Sequence, residues 1–160
     1  MKTVPVVVIC AVLVLLCSKI ARADGPIQLA LVPPDLQLVS DQESITGLRL
    51  QIWGRNLDMT GVDIGLVHEA TGNFTGVGFG LLNMVDGDMS GLQFSGFYSE
   101  ARTHISGGQV GMFNRSDSVK GVQIGLVNIA EELTGFQFGL WNQVSSRENL
   151  PVIPLINANF

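Results

Sequence analysis

The chain has 160 residues, a formal net charge of −5 at pH 7 and only two cysteines. This length suits one domain of ordinary size. The acidic balance argues against nucleic acid as a partner, because a nucleic-acid-binding surface needs clustered Lys and Arg side chains.

The first 23 residues have the features of a secretory signal peptide. Lys2 supplies a positive charge, residues 4–17 form an apolar run, and Ala21-Arg22-Ala23 matches the small-x-small cleavage pattern. We therefore expect cleavage before Asp24. The apolar run of 14 residues is short for a bilayer span, so an uncleaved membrane anchor is the weaker alternative.

Cleavage would change the composition of the chain. Cys10 and Cys17 would leave with the signal, so the mature chain would have neither disulfides nor thiol chemistry. Six of the nine basic residues would remain against all 14 acidic ones, which gives a net charge of −8. Such a chain is a poor partner for anionic lipid headgroups as well as for nucleic acid.

A repeated phrase fills residues 47–142. Its seven copies open on glycines at spacings of 14, 15, 15, 16, 14 and 14 residues: Gly47, Gly61, Gly76, Gly91, Gly107, Gly121 and Gly135. A repeat with a fixed period indicates stacked, equivalent structural units. Positions within a unit are numbered below from its opening glycine as position one.

The pattern inside each unit predicts a β-strand. Positions two, four and six are almost all apolar, position three is often Gln, and position five is mostly Gly. This alternation is typical of a strand with one apolar face. Position seven is apolar again, which predicts a bend or bulge there. Position eight is Asn in four units: Asn83, Asn114, Asn128 and Asn142.

An apolar residue also stands two places before each opening glycine, and the residue between them is Thr or Ser in six of the seven units. We expect the apolar residue to be a second buried anchor and the glycine to allow a tight corner. Charged residues collect in the gaps between phrases, which are expected to be exposed turns. No segment after residue 23 has the apolar spacing of a helix.

The predicted organisation has four parts. Residues 1–23 are the signal peptide, and residues 24–46 are a divergent N-terminal unit or cap with a turn at Pro33-Pro34. Residues 47–144 are a domain of seven β repeat units. Residues 145–160 leave the repeat and form a C-terminal strand or cap that ends in Phe160.

The leading architecture is an all-β parallel β-solenoid of about seven coils, each of 14–16 residues. Every unit carries its repeated residues at the same points, as the stacking of equivalent coils requires. In this arrangement the side chains at positions two, four and six fill the interior, and Gln and Asn form ladders of amide hydrogen bonds between coils. Asp63, which stands in the Gln column, is then expected to face solvent.

The alternative architecture is a small antiparallel outer-membrane β-barrel. About nine uncharged residues followed by a charged turn suit a tilted membrane strand whose apolar side chains face lipid. The alternating C-terminal residues that end in Phe160 also resemble the last strand of such barrels. Against this alternative, the natural repeat of a barrel is a hairpin, and bulky side chains such as Trp53 and Trp141 would crowd a narrow lumen.

The repeated phrase resembles that of the bacterial "surface repeat" proteins of the cell envelope. The best matches to G-[VLF]-Q-[IVF]-G-[LM]-[VFW]-N are residues 107–114, 121–128 and 135–142, whereas residues 47–54 depart most. The resemblance covers residues 47–142. It implies an exported protein of the surface or envelope with no assigned chemistry, and it carries over no catalytic residue.

No catalytic, cofactor-binding or metal-binding residue is predicted, and no cofactor is expected. His68 and His104 are the only histidines, and they lack the spacing of metal ligands. The segment Asp86-Gly87-Asp88 is predicted to be a turn, because it lacks the acidic ladder of repeated calcium sites.

The best candidates for an interaction surface are the aromatic residues at and beside position seven. They are Trp53, Phe97, Tyr98, Phe113 and Trp141. An exposed aromatic stripe indicates a protein, glycan or envelope partner, and membrane association is also compatible with it. The alternative is that these side chains pack at the corner beneath the charged turns. The predicted function is an exported, non-enzymatic surface or envelope scaffold, with an outer-membrane barrel protein as the alternative.

Overall fold

A computed structural model describes residues 25–160, so the predicted signal peptide lies outside the described residues. The described residues form nine β-strands and no helix. The strands are β1 (Gly25–Val32), β2 (Leu36–Gln37), β3 (Ile45–Asn56), β4 (Met59–Ala70), β5 (Phe74–Val85), β6 (Met89–Val110), β7 (Phe113–Ile124), β8 (Val127–Val144) and β9 (Val152–Asn159). Residues 25–160 contain no helix with the length and apolarity needed to cross a membrane.

The strands coil into a parallel β-solenoid. From β3 to β8 each strand pairs in parallel with the next, and equivalent positions lie side by side, as Gly47, Gly61 and Gly76 do. The seven repeat units make six complete turns and a last partial one. The predicted fold class is confirmed. The antiparallel barrel is wrong, because outer-membrane barrels of the predicted kind pair successive strands in opposite directions.

Strands outside the repeat cover both ends of the stack. β1 pairs in parallel with β3, and β2 returns antiparallel to β1 after the predicted turn at Pro33-Pro34. At the other end β9 runs antiparallel along β8, with Ile156 opposite Phe138. Both end coils therefore have a neighbour for their backbone hydrogen bonds.

The apolar columns at positions two, four and six face outward, so the prediction that they fill the interior is wrong. Ile64, Phe79 and Ile124, all at position four, are 44%, 45% and 45% exposed. The reason is the two-residue period of a strand, which places the anchor and positions one, three and five on the same side. Because the anchors are buried, as predicted, the even positions face outward.

The interior of the coil has an apolar half and an amide half. The apolar half comprises the anchors and most residues at position ten, and none of its members is more than 2% exposed. They are Ile45, Met59, Phe74, Met89, Ile105, Val119, Leu133, Ala70, Val85, Ala101, Ala130 and Val144. Removal of these side chains from water supplies the hydrophobic contribution of the interior to folding.

Fully buried glutamines at position three form the predicted ladder. Gln137 Nε2 donates to Gln123 Oε1 at 2.8 Å, and Gln123 Nε2 donates to Gln109 Oε1 at 3.0 Å. Gln109 donates in turn to Gln93, over 3.4 Å. On β9, Asn157 Nδ2 extends the ladder by donating to Gln137 Oε1 at 2.9 Å. Because each amide is paired with the next, the cost of burying polar groups is largely offset.

A second ladder, also as predicted, joins three of the four asparagines at position eight, whereas Asn83 lies between His68 and Ser99 and donates to the carbonyl oxygen of Phe94. Asn114 Nδ2 donates to Asn128 Oδ1, and Asn128 Nδ2 donates to Asn142 Oδ1, each at 2.8 Å. Glycine at position five makes room for these side chains. A Cβ placed on Gly125 would lie 2.6 Å from Asn114 Nδ2. The Gly and Asn columns are therefore two parts of one packing arrangement.

The first unit exchanges the two roles. It has Gln51 at position five and Gly54 at position eight, and the Gln51 side chain occupies the space that a Cβ on Gly54 would need. The first unit thus also has one amide side chain and one glycine at positions five and eight, but the two residue types have exchanged places.

The opening glycines have a backbone conformation that other residues rarely adopt. Their φ angles lie between 121° and 143°. In addition, a Cβ at any of the six from Gly61 to Gly135 would overlap the carbonyl oxygen of the opening glycine one coil earlier. Position one is therefore restricted to glycine by its dihedral angles and by the close stacking of coils.

The 16-residue unit that opens at Gly91 carries two insertions. At the corner, Gly96 and Phe97 together stand opposite Leu81 of the preceding unit. In the following turn, Arg102 and Thr103 stand opposite one residue of the next unit. The corner insertion leaves Phe97 without an equivalent in neighbouring units, and its side chain is 51% exposed.

Candidate functional site

The residues at position seven form one outward-facing column along the solenoid. This column lies on the side that follows the corner at positions five and six of each unit. Trp53 lies beside Val67 at its N-terminal end, and Tyr98 lies beside Phe113 in the middle. Trp53 and Trp141 are 42% and 49% exposed, and Phe97 protrudes from the corner beside the column. Several side chains of the predicted stripe therefore reach solvent.

Three of the five predicted residues line a single cleft. Phe97, Tyr98 and Phe113 form its aromatic wall, and Phe97 and Phe113 pack edge to face with ring centroids 5.3 Å apart. The rest of the lining comes from positions seven to nine of the next units: Asn114, Arg115, Val127 and Ile129. The cleft exists because the extra residue in the corner places Phe97 above its neighbours.

The other two predicted residues do not belong to this cleft. Trp53 is three strands away from Tyr98 along the column, which corresponds to about 14 Å at the usual strand spacing. Trp141 is two units beyond Phe113, or about 10 Å. The five residues therefore share one side of the solenoid, but only three of them share one site.

The cleft combines aromatic surface with two polar groups. Burial, together with the negative charge of Glu100, raises the pKa of Tyr98 above its ordinary value. Its phenolic hydroxyl adds a polar group to the aromatic wall. Arg115 adds an exposed guanidinium at the edge. Such a lining suits a ligand with one flat apolar face and with hydroxyl or carboxylate groups at its rim, as in a glycan.

Sequence reasoning missed Arg115, Val127 and Ile129 as cleft residues. Val127 belongs to the position-seven column, and the other two belong to position nine, which faces outward on the same strand. Two features of the sequence could have indicated these cleft residues. Positions seven and nine lie on the same face of a strand, and the unit that opens at Gly91 has an extra residue.

A cluster of charged side chains replaces the Gln ladder in the first two units. Arg49 and Asp63 occupy position three, and they form an ion pair between Arg49 Nη2 and Asp63 Oδ2 inside the coil. Gln51 Nε2 donates to Asp63 Oδ1 at 2.8 Å, and Arg49 Nη1 donates to Asn56 Oδ1 at 3.2 Å. The expectation that Asp63 faces solvent is wrong, because position three points inward; Asp63 is 0% exposed.

His68 at position eight completes this cluster. Its Nδ1 lies 2.6 Å from Asp63 Oδ2, a close contact that is not aligned as a hydrogen bond. Its Nε2 is buried without a hydrogen-bond partner among the described residues. The interior of the N-terminal units is thus ionic and incompletely paired, whereas the C-terminal units have continuous amide ladders.

The ion cluster controls the ionisation of Asp63. Burial raises the pKa of this carboxyl, but the contact with His68 and the charge and hydrogen bond of Arg49 outweigh burial, so the pKa lies below its ordinary value. The folded protein therefore binds the Asp63 proton more weakly than the unfolded chain does. This contribution to stability is complete above the unfolded pKa of about 3.9 and is lost as pH falls toward the folded pKa.

We expect the urea midpoint of the native protein to fall steeply as pH decreases from 5 to 3. The double variant Arg49→Gln/Asp63→Gln lacks the pair and should show a shallower decrease over the same range. Asp88→Asn is the control, because Asp88 is exposed on a turn and its replacement should leave most of the decrease in place. Parallel decreases in the native protein and the double variant would contradict the role given to Asp63.

Residues 25–160 contain no group of three or more His, Cys, Asp or Glu side chains placed to hold a metal ion. The segment Asp86–Asp88 is a turn, as predicted, and its polar atoms bond to neighbouring turns. Asp88 accepts a hydrogen bond from Thr103 Oγ1 at 2.7 Å, and its own backbone N–H donates to Asn73 Oδ1 at 2.9 Å. The turns thus form a ladder of their own on the outside of the stack.

Comparison with known proteins provides no further assignment: no family model, no curated protein and no solved structure matches this chain.

Proposed function

We propose that this protein is an exported, non-enzymatic scaffold of the bacterial cell surface or envelope, of the surface-repeat kind. The observation that carries the proposal is the cleft of Phe97, Tyr98 and Phe113, an outward aromatic site on a rigid repetitive framework. The N-terminal sequence supports export, because residues 1–23 combine a charged start, an apolar run and a cleavage pattern.

The different roles of the inward-facing and outward-facing side chains support a binding function. Buried Gln and Asn side chains form hydrogen bonds with each other between neighbouring coils, which stabilises the stack. Position seven faces outward and differs between units, and it is there that the unit opening at Gly91 acquires its extra aromatic residue. A partner with a flat apolar face, such as an envelope glycan or a protein loop, fits the cleft best.

One fractionation experiment tests export and the cleft together. The full chain is expressed in a bacterial host, and the fractions are analysed by immunoblotting and by N-terminal sequencing. We expect a mature N-terminus at Asp24 and retention in the envelope fraction. The variant Phe97→Ala/Phe113→Ala should be processed normally, while its envelope-bound fraction drops about tenfold, as for loss of central aromatic contacts.

Leu82→Ala is the matched control, because Leu82 is also at position seven but lies outside the cleft. It should remain in the envelope fraction. An unprocessed chain in the cytoplasm would overturn the export part of the proposal. Envelope retention of the double variant at the native level would overturn the role of the cleft.

A further inference from the structure

We propose that the outward face at positions two, four and six binds the same face of a second copy of this chain, so that the protein is a homodimer. This face lies on the other side of the corner from the aromatic cleft. It contains large apolar side chains in almost every coil, and those at position six include Leu66 at 47%, Leu81 at 50% and Leu140 at 66% exposed.

The size of the face suits a dimer interface. The outward positions from the Thr column to position six span roughly 20 Å along the strand, and seven coils span roughly 30 Å along the stack. The resulting flat footprint of roughly 600 Å² is at the upper limit for apolar patches of monomers. Corrugation by the side chains brings the accessible area toward the roughly 800 Å² per partner that stable interfaces bury.

The distribution of charge permits two such faces to meet. Lys120 is the only ionisable residue among the outward positions of this face, and it lies in the Thr column at the border. The exposed acidic residues of the repeat lie in the turns and on the opposite side of the coil, and Asp63 is buried in the interior. Two acidic molecules can therefore join these faces without bringing like charges into contact. The same acidic balance disfavours the headgroups of an anionic bilayer as the occupant.

The sizes of the side chains are complementary under one two-fold operation. A two-fold axis that lies in the interface along the strand direction, between the units opening at Gly91 and Gly107, reverses the order of coils and keeps each position opposite the same position. Leu92 then faces Gly108, and Phe94 faces Val110. A self-complementary contact of this kind closes into a dimer and leaves no free apolar face.

The same operation keeps the other large side chains apart. It places Phe79 opposite Ile124, and Phe138 opposite Ile64. A two-fold axis that runs along the solenoid over position four would instead place Phe79, Phe94 and Phe138 each opposite its own copy. The alternation of large and small residues therefore favours the antiparallel arrangement of the two solenoids.

Sedimentation equilibrium of the purified exported protein tests the proposal. We expect a dimer in the native protein at micromolar concentration. Ile124→Glu places a charge at position four, opposite Phe79 of the second copy, and should give a folded monomer with unchanged circular dichroism. Val67→Glu is the control, because it places the same charge on the opposite side of the coil and outside the aromatic cleft, and it should stay dimeric.

An exchange of a large and a small side chain between facing positions tests the proposed two-fold arrangement. Val110→Phe should weaken the dimer about tenfold, because it places Phe opposite Phe94. The double variant Phe94→Val/Val110→Phe should restore the native dissociation constant to within about threefold. Failure of this restoration would overturn the arrangement.

Two results would overturn the dimer. One is a native protein that is monomeric at all concentrations. The other is flotation of the monomer with phosphatidylcholine vesicles in a way that Ile124→Glu abolishes, which would assign the face to a lipid surface. Neither result depends on envelope retention through the aromatic cleft, so this inference and the proposed function fail separately.

Discussion

Replacing Gly107 with Ala is expected to lower the free energy of unfolding by about 3 kcal/mol or more. The φ angle of Gly107 is 137°, which an L-residue adopts only with strain, and a Cβ there would overlap the carbonyl oxygen of Gly91. Neither problem is relieved by a side-chain rotation, because both involve the backbone. The coils on both sides would have to separate, which would weaken the parallel ladder at this point. Chemical denaturation followed by circular dichroism measures the loss.

The adjacent glycine is the matched control. Gly108 does not have a positive φ, and the nearest atom to its added Cβ would be Leu92 Cδ2 at 3.1 Å, the end of a flexible side chain. Gly108→Ala should therefore change stability by no more than about 1 kcal/mol. Equal losses from the two substitutions would show that general crowding, and not the special backbone of position one, limits the repeat.

Replacing Asp63 with Asn is expected to cost about 3–5 kcal/mol, because it leaves the guanidinium of Arg49 buried without its counter-charge. Arg49 is 0% exposed, so water cannot replace the lost partner without opening the coil. Thermal or urea unfolding at pH 7 measures the effect.

The compensating variant Arg49→Gln/Asp63→Gln distinguishes charge from packing. It gives the first two units the residue that four later units have at position three. Its two amides lie side by side and are able to pair with each other, while Gly78 of the third unit separates them from the ladder that begins at Gln93. We expect its stability to lie within about 2 kcal/mol of native, since a buried ion pair often contributes little net stability once both charges are removed. A double variant as unstable as Asp63→Asn would indicate that this site needs the ion pair itself.

Much of the architecture follows from residue patterns that local physical chemistry explains. The 14–16-residue period, the alternation within units and the in-phase Gly, Gln and Asn columns predict stacked parallel strands with amide ladders. Gln123 and Asn128 form these ladders as expected. The anchors, such as Met59 and Val119, are buried as expected.

The direction of the apolar columns could have been predicted, but it requires the correct choice between two conflicting signals. Hydrophobicity places Val122, Ile124 and Leu126 inside, whereas the two-residue period places them opposite the anchor Val119. The anchor determines the orientation because the Gln side chains on its side pair with each other, so burying them carries little penalty.

The candidate site was only partly predictable for a related reason. Aromatic residues at position seven were visible as a column, but the cleft depends on the extra residue that puts Phe97 out of register with its neighbours. The contribution of Arg115 depends on which strands lie side by side at that bulge. The burial of Asp63 likewise depends on the inward direction of position three.

The amino-acid sequence alone establishes the repeat, its strands, its column of opening glycines and the exposure of its charged turns, because these depend on interactions within one unit or between identical units. The assignment of inside and outside, the ionic interior of the first units and the aromatic cleft depended on the packing of coils against each other. Strand alternation permits either face to be buried, and only the packed coil, in which amides satisfy one another, selects between them.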